Sequence, residues 1–239
     1  MNHAHPMTRA QLREVDRRAM EMYGVPGVVL MENAGRNAAR IIRKLHAELR
    51  QNDRAIPVTI VCGRGNNGGD GYVIARHLHN VGLPVELFLA APIASLSGDA
   101  AVHARIVEKM KLPTHPFDSP ESIKAHRGKL LQSGIIVDAI LGTGFTGEIR
   151  PPLDVIIEAM NAAPRAIRVA IDVPSGLDCD TGAAANATVR AEHTITFVAP
   201  KIGFDAAGAD EYTGRVVVAD IGAPIELIRQ VVESAERHP

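Results

Sequence analysis

Asn66, Asn67 and Asp70 stand inside the run Cys62-Gly63-Arg64-Gly65-Asn66-Asn67-Gly68-Gly69-Asp70-Gly71. Amide and carboxylate side chains set among glycines can hold a hydroxyl-bearing or anionic ligand against exposed backbone N–H groups. The run follows apolar Val58-Thr59-Ile60-Val61 and precedes a segment with helical character from Gly71 to Leu78. Strand, glycine-rich turn and helix is the layout of a nucleotide-binding loop. Gly63, Gly65 and Gly68 satisfy G-x-G-x-x-G, a weak pattern alone, and the absence of Gly-Lys-Ser/Thr excludes a Walker A loop. The glycines are expected to supply positive φ and close approach to a ligand. Asp70 would repel phosphate, so it reads as a hydroxyl ligand or as the N-cap of the following helix.

Three further stretches carry chemistry. Asp138 lies inside the apolar run Gly134 to Leu141, where a carboxylate needs a partner or a cation. That run leads into a second glycine-rich loop, Gly142-Thr143-Gly144-Phe145-Thr146-Gly147-Glu148. Asp172 ends another apolar run and is followed by Val173-Pro174-Ser175-Gly176-Leu177-Asp178. It reads as a ligand or as the cap of the turn at Pro174. Val173 and Leu177 stand where a Gly-x-Ser-x-Gly elbow needs glycine, so Ser175 is not a hydrolase nucleophile. Lys201, in Pro200-Lys201-Ile202-Gly203, reads as a contact for a ligand anion. Together the asparagines, aspartates and serine form an oxygen-rich set suited to a hard cation, with too few acidic groups for a divalent cage. Cys62 and Cys179 read as a buried residue and a loop thiol, and His77 and His79 as surface or packing residues.

Helices and strands must position these groups. Leu12, Val15, Ala19 and Met22 recur at helical spacing after an N-cap at Thr8. Met31, Ala34, Ala38, Ile41, Ile42, Leu45 and Leu49 mark a second helix. Strands are expected at 58–62, 84–90, 134–141, 167–171, 194–198 and 215–218, and helices from 71 to about 80, from Ser97, and at 122–131, 153–160 and 225–232. Residues 112–120 are expected to be a proline-broken connection. This alternation predicts an α/β fold, one domain over 1–239, with a mostly parallel sheet covered on both faces and two helices ahead of its first strand. The last strands lack a full helix between them, which predicts a mixed edge. Ligands of open α/β sheets bind beyond the carboxyl ends of the strands, so the four polar loops should share one rim.

Composition narrows the partners. A formal net charge of -1 without a basic block excludes the footprint of a nucleic-acid binder, and 3% aromatics with no Trp argues against base stacking. Two cysteines are too few for a disulfide scaffold or a zinc cluster and fit a reducing, cytoplasmic compartment. Met1 to Pro6 shows no secretory apolar region, and His3 and His5 read as part of a solvated end. No apolar run reaches membrane-spanning length, so no membrane partner is expected.

Several of these stretches, taken in order, resemble the NAD(P)H-hydrate epimerases, the YjeF N-terminal domain family. They are Met31 to Gly35, Gly65 to Gly71 with Ala75 to Leu78, Asp138 to Gly144, Ala170 to Leu177 with Asp180 to Gly182, and Thr194 to Phe197 with Pro200-Lys201. The resemblance covers nearly the full chain. It implies a Rossmann-like three-layer α/β/α sandwich, a homodimer and a bound potassium ion (K+). The implied activity is epimerisation of the R and S forms of hydrated NADH or NADPH at C6 of the nicotinamide ring, which feeds an S-specific dehydratase. The implied substrate contacts are Asn66, Asn67, Gly68, Gly69, Asp70, Gly142, Thr143, Gly144, Phe145, Thr146, Gly147, Glu148 and Asp172. The implied potassium ligands are Asn67, Asp138 and Ser175, and Asp172 is the expected acid–base group. The chain ends at Pro239 with no room for a dehydratase, so that partner is expected to be separate or the chain to be excised from a fusion. Two other readings stay open at this point. A non-catalytic scaffold would predict decay of the rim residues. A dehydrogenase would want a ribose reader where Leu89-Ala90-Ala91-Pro92 stands.

Overall fold

Short runs of Val, Ile, Leu and Ala, buried on both sides, dictate a covered parallel sheet. In a computed structural model, which describes residues 5–49 and 56–237, those runs form seven strands. In chain order the elements are α1 (Arg9–Tyr23), α2 (Gly27–Leu49), β1 (Val58–Cys62), α3 (Asn66–Asn80), β2 (Val85–Leu89), α4 (Gly98–Lys109), β3 (Thr114–Pro116) and α5 (Pro120–Leu130). Then come β4 (Ile135–Ala139), α6 (Leu153–Asn161), β5 (Ile167–Ile171), β6 (His193–Phe197), α7 (Asp210–Thr213), β7 (Arg215–Ala219) and α8 (Ile225–Arg237). The reading of the first residues as a solvated end falls mostly on 1–4, outside the described residues.

The sheet order is β3-β2-β1-β4-β5-β6-β7, with every pairing parallel. The order reverses between β1 and β4, the switch point where such sheets open a crevice. Side chains of β1 alternate between two cores. Ile60 and Cys62 join α1, α2, α3, α4 and α8, whereas Val61 joins α5 and α6. The expected three layers therefore form.

Three expectations are corrected. The edge is not mixed, because residues 172–192 are long enough to return β6 parallel to β5 without a helix. The proline-broken stretch contains β3; as an edge strand it tolerates Pro116, because only one side of it needs a ladder partner. The helix after the first glycine run begins at Asn66, not beyond Asp70, with Gly65 as its N-cap. Asp70 is thus inside the helix and caps nothing.

The glycines of that run serve packing. None of Gly63, Gly65, Gly68, Gly69 or Gly71 has positive φ. A Cβ on Gly63 would lie 2.0 Å from the Ile140 carbonyl oxygen, and one on Gly68 would lie 2.0 Å from that of Gly63. One on Gly71 would meet Ala139 and Cys62 at 2.8 Å. Bare backbone lets α3 start directly against β1 and β4, which brings its first turn to the switch point. A Cβ on Gly65 would meet nothing within 4 Å. Gly63→Ala and Gly68→Ala should therefore each lower stability in urea denaturation by roughly 2–4 kcal/mol, against less than about 1 kcal/mol for Gly65→Ala.

Candidate functional site at the carboxyl rim of the sheet

β5 and β6 end in matching turns. Val173 N–H donates to the Ile171 carbonyl at 2.8 Å around Asp172, whose φ is 65°. Ala199 N–H donates to Phe197 at 2.7 Å around Val198, whose φ is 66°. An i to i+2 bond around a positive-φ residue is the rare, strained kind of γ-turn. Such outliers persist where surrounding structure holds them, and they gather at functional sites.

The two turns aim Asp172 and Lys201 at each other. Lys201 Nζ lies 2.7 Å from Asp172 Oδ1 and donates to the Phe197 carbonyl at 3.0 Å. Lys201 is 1% exposed. The expectation that Lys201 meets a ligand anion is thereby replaced, because its ammonium is enclosed and engaged with Asp172. Asp172 Oδ2 accepts from Thr143 N–H at 3.1 Å, which ties the second glycine loop to the same carboxylate. Asp172 does not cap the turn at Pro174 through a recorded bond; its oxygens face Lys201 and Thr143.

From β4, Asp138 is fully buried and its oxygens are taken by Ser175 N–H (2.7 Å), Ser175 Oγ (2.6 Å) and Ile140 N–H (3.2 Å). Burial pushes its carboxyl up to about 6, against the lowering effect of the Ser175 bonds. From α3, Asn67 Nδ2 donates to the Leu141 carbonyl at 2.7 Å, whereas its Oδ1 is buried with no partner. A buried amide oxygen without a donor is a place for a ligand or a cation. Asn67 Oδ1, the Leu141 carbonyl, Ser175 Oγ and Asp138 form an oxygen set with a single formal charge, which suits a monovalent ion better than a divalent one. Among the described residues no group of three or more His, Cys, Asp and Glu could hold a metal.

Asn67 and Asp172 flank Gly142: a Cβ there would lie 3.5 Å from Asn67 and 2.9 Å from Asp172 Oδ2. Asp70 follows Asn67 by three residues and so shares its helix face. It is 8% exposed, and its carboxyl is pushed well up, first by burial and then by the charges of Asp172 and Asp16. Asn66 at the helix start is exposed, and Gly68 and Gly69 are buried. In the second loop Gly144, Thr146, Gly147 and Glu148 are exposed, while Phe145 packs on the core of the α5 and α6 face. The switch point thus gathers Asn67, Asp70, Gly142, Thr143 and Asp172, with Asp138 and Ser175 behind them.

Sequence reasoning missed α1 as part of this site. Asp16, on its exposed side, is surrounded closely enough that burial is the main cause of a carboxyl raised to about 6, with the Asp172 charge adding to it and Lys201 opposing. No local pattern marks Asp16, because its neighbours come from the far end of the chain. His77 stays outside the site, 2.8 Å from Glu32. Both cysteines are buried and free, and burial keeps their thiols protonated, that of Cys179 with a value of about 11. A groove of about 500 Å3 between α5 and α6, lined by Ile123, Pro151, Pro152 and Val155, holds none of these groups.

Comparison with known proteins matches the chain to a family. A family profile described as "YjeF-related protein N-terminus" covers residues 27–203. The chain belongs to the YjeF-related N-terminal family. It is 45% identical over 225 residues to a protein of Rhodopirellula baltica named NAD(P)H-hydrate epimerase, covering 94% of this chain and 87% of that one. A protein of the same name from Pirellula staleyi is 41% identical, covering 93% and 95%. A Moorella thermoacetica protein named bifunctional NAD(P)H-hydrate repair enzyme Nnr is 38% identical over 93% of this chain but only 41% of its own length. Among solved structures, yeast ynu0 superposes with a TM-score of 0.78 at 23% identity, covering 95% of this chain and 93% of that one, which shows the shared fold.

Two outcomes follow from the electrostatics. Lys201→Met leaves Asp172, 14% exposed, without its cation and should lower stability by on the order of 3 kcal/mol. Adding Asp172→Asn should recover part of that loss, so urea denaturation of the four proteins should show less than additive effects. Asp16 titrates from about 6 when folded against 3.8 ordinarily, so folding binds its proton more tightly and its unfavourable contribution is complete above the higher value. Asp16→Asn should therefore gain most over the parent above about pH 6, and the gain should vanish as pH falls below the ordinary value of 3.8.

Proposed function

We propose that this chain is an NAD(P)H-hydrate epimerase that interconverts the R and S hydrates of NADH and NADPH at C6 of the nicotinamide ring. The observation that carries the reading is the meeting of Asp172, Asn67 and Asp70 at the switch point of a chain whose relatives at 45% and 41% identity bear that name. The isomerase class follows from the same relatives.

Only two bonds at C6 need concern the enzyme. C6 carries a hydroxyl and the ring nitrogen, and breaking either bond erases the stereocentre. Re-formation from the other face inverts it, and both routes need a proton carrier near C6. Asp172 is that group: its Oδ2 faces Gly142 and the crevice, while Lys201 and Thr143 N–H fix its orientation. Asp70, whose carboxyl is pushed well up by burial and by the charges of Asp172 and Asp16, is a second carboxyl at the same site. A second carboxyl in a different environment can share the acid and base work.

Potassium (K+) fits the oxygen set of Asn67, Ser175 and Asp138 with the Leu141 carbonyl, and the unpartnered Asn67 Oδ1 supports it. Bound there, it would add positive charge behind the crevice and order the loops after β4 and β5. The remaining contacts from Asn66 to Asp70 and from Gly142 to Glu148 would hold the rest of the substrate. The functional partner is a dehydratase; the bifunctional relatives, of whose length this chain spans 41%, support that link. We place the enzyme in the cytoplasm as a homodimer, a reading supported by two unpaired cysteines for the compartment and by the family resemblance for the dimer. No helix among the described residues is long and apolar enough to cross a membrane.

Chromatography of the two epimers tests the activity. Starting from the R-hydrate of NADPH, the protein should restore the R/S equilibrium far faster than the spontaneous reaction, and Asp172→Asn should slow it by roughly a hundredfold or more. A rate no greater than the spontaneous one, in protein that still binds the hydrate, would leave a binding module in place of an enzyme.

A further inference from the structure

α1 reaches the second glycine loop through one side chain. Arg9 Nε donates to the Thr143 carbonyl, and Arg9 Nη2 donates to the Phe145 carbonyl at 2.9 Å. The same Nη2 lies 2.9 Å from Asp178 Oδ2, and Nη1 lies 3.7 Å from Asp180 Oδ2. A guanidinium presents its donors in a planar fork, which is what two carbonyls and a carboxylate on different segments require.

Both ends of this contact differ in rigidity. Arg9 itself is fixed three ways. Its N–H donates to Asp180 Oδ1 at 2.7 Å, Thr8 before it closes a capping box with Gln11, and Met7 pairs with the backbone at Pro200 and Ile202. Asp178 is fixed too, since its Oδ1 accepts from Asp180 N–H, Thr181 N–H and Thr181 Oγ1. The loop from Gly142 to Glu148 has no regular structure. Apart from Arg9, its backbone is held by Phe145 N–H to the Gly142 carbonyl, by Thr143 N–H to Asp172 and by the Cys179 thiol, which donates to the Thr143 carbonyl at 3.7 Å. Arg9 therefore carries order from the N-terminal strap and the Asp178 turn to a loop that otherwise has little of its own.

We propose that Arg9, ahead of the family-matched region 27–203, is a positioning residue that holds the loop 142–148 in its substrate-binding form and thereby sets affinity for the hydrate. The inference rests on the epimerase reading for its substrate, not for the clamp itself. Arg9 touches no proton-transfer group, and Asp172 keeps Lys201 in its absence. Loss of Arg9 should act on substrate binding and leave the chemical step in place. Arg9→Lys keeps the charge beside Asp178 and Asp180 but loses the fork, so charge and geometry separate.

The test combines steady-state epimerisation of NADPH hydrate with hydrogen exchange read by mass spectrometry, on the parent, Arg9→Lys and Arg9→Met. Both variants should raise KM by roughly tenfold to a hundredfold, the size of one or two lost charge-assisted hydrogen bonds, with kcat within about threefold. The Phe145 amide, bonded to the Gly142 carbonyl, should exchange at least about tenfold faster in both, with the Thr143 amide, held by Asp172, and the amides of β1 and α3 unchanged. An unchanged KM, a kcat loss at constant KM, or loop exchange equal to the parent would each overturn the proposal. If the parent itself fails to equilibrate the epimers, the epimerase reading falls, and the exchange comparison alone decides the clamp. If Arg9→Met does not fold, Arg9→Lys decides both readouts.

Discussion

The buried contact between the Lys201 ammonium and the Asp172 carboxylate is the constraint around which the rim is arranged. An ammonium that is 1% exposed has lost its water and must be repaid by close partners. Asp172 Oδ1 at 2.7 Å and the Phe197 carbonyl at 3.0 Å supply them. That geometry demands that β5 and β6 end side by side and pointing the same way, which the parallel pairing of Ile171 with Ile195 provides. It also demands two sharp reversals, and strained turns at Asp172 and Val198 make them. The N-terminal strap at Met7, itself fully buried, then pairs with the backbone on both sides of Lys201.

The same logic governs the neighbouring strands. Asp138 is a carboxylate inside a sheet, made tolerable by Ile140 N–H and by Ser175, on the loop leaving β5, which gives it both an N–H and a hydroxyl. This bracket ties the loop after β5 to β4, as Lys201 ties β5 to β6. Glycine at 63, 68 and 71 lets α3 sit on those strands at backbone distance, so Asn67 and Asp70 arrive at the crevice already buried. Asp172 there faces a cation, while burial and the neighbouring charges push the Asp70 carboxyl well up.

How much of this was legible in the sequence depends on the range of the interaction. The strands from Val58, Ile135 and Ile167 show themselves as apolar runs, and the rule that ligands sit beyond their carboxyl ends brings Asn67, Asp138, Asp172 and Ser175 together without coordinates. The start of α3 was misplaced because Asn and Gly disfavour helices locally; here close packing on β1 and β4 overrides that preference. β3 is masked by Pro116 and by Pro113 just before it, which an edge position excuses. Lys201 was recognised as unusual but given the wrong partner, since a side chain's burial is a property of the whole fold. Arg9 and Asp16 are not legible for the same reason: the groups that they meet, by hydrogen bond or by charge, lie on distant parts of the chain. The family resemblance supplied the substrate, which no pattern of burial or spacing could have named.

The account's central claim is that Asp172, fixed by Lys201, meets C6 of the nicotinamide ring at the switch point between β1 and β4. The most direct test is a crystal structure of the Asp172→Asn protein with NADPH hydrate bound. The account predicts the ring between Asn67 and Gly142, with the C6 hydroxyl or the ring nitrogen within hydrogen-bond reach of residue 172. A ring bound elsewhere, with C6 out of reach of that side chain, would contradict it.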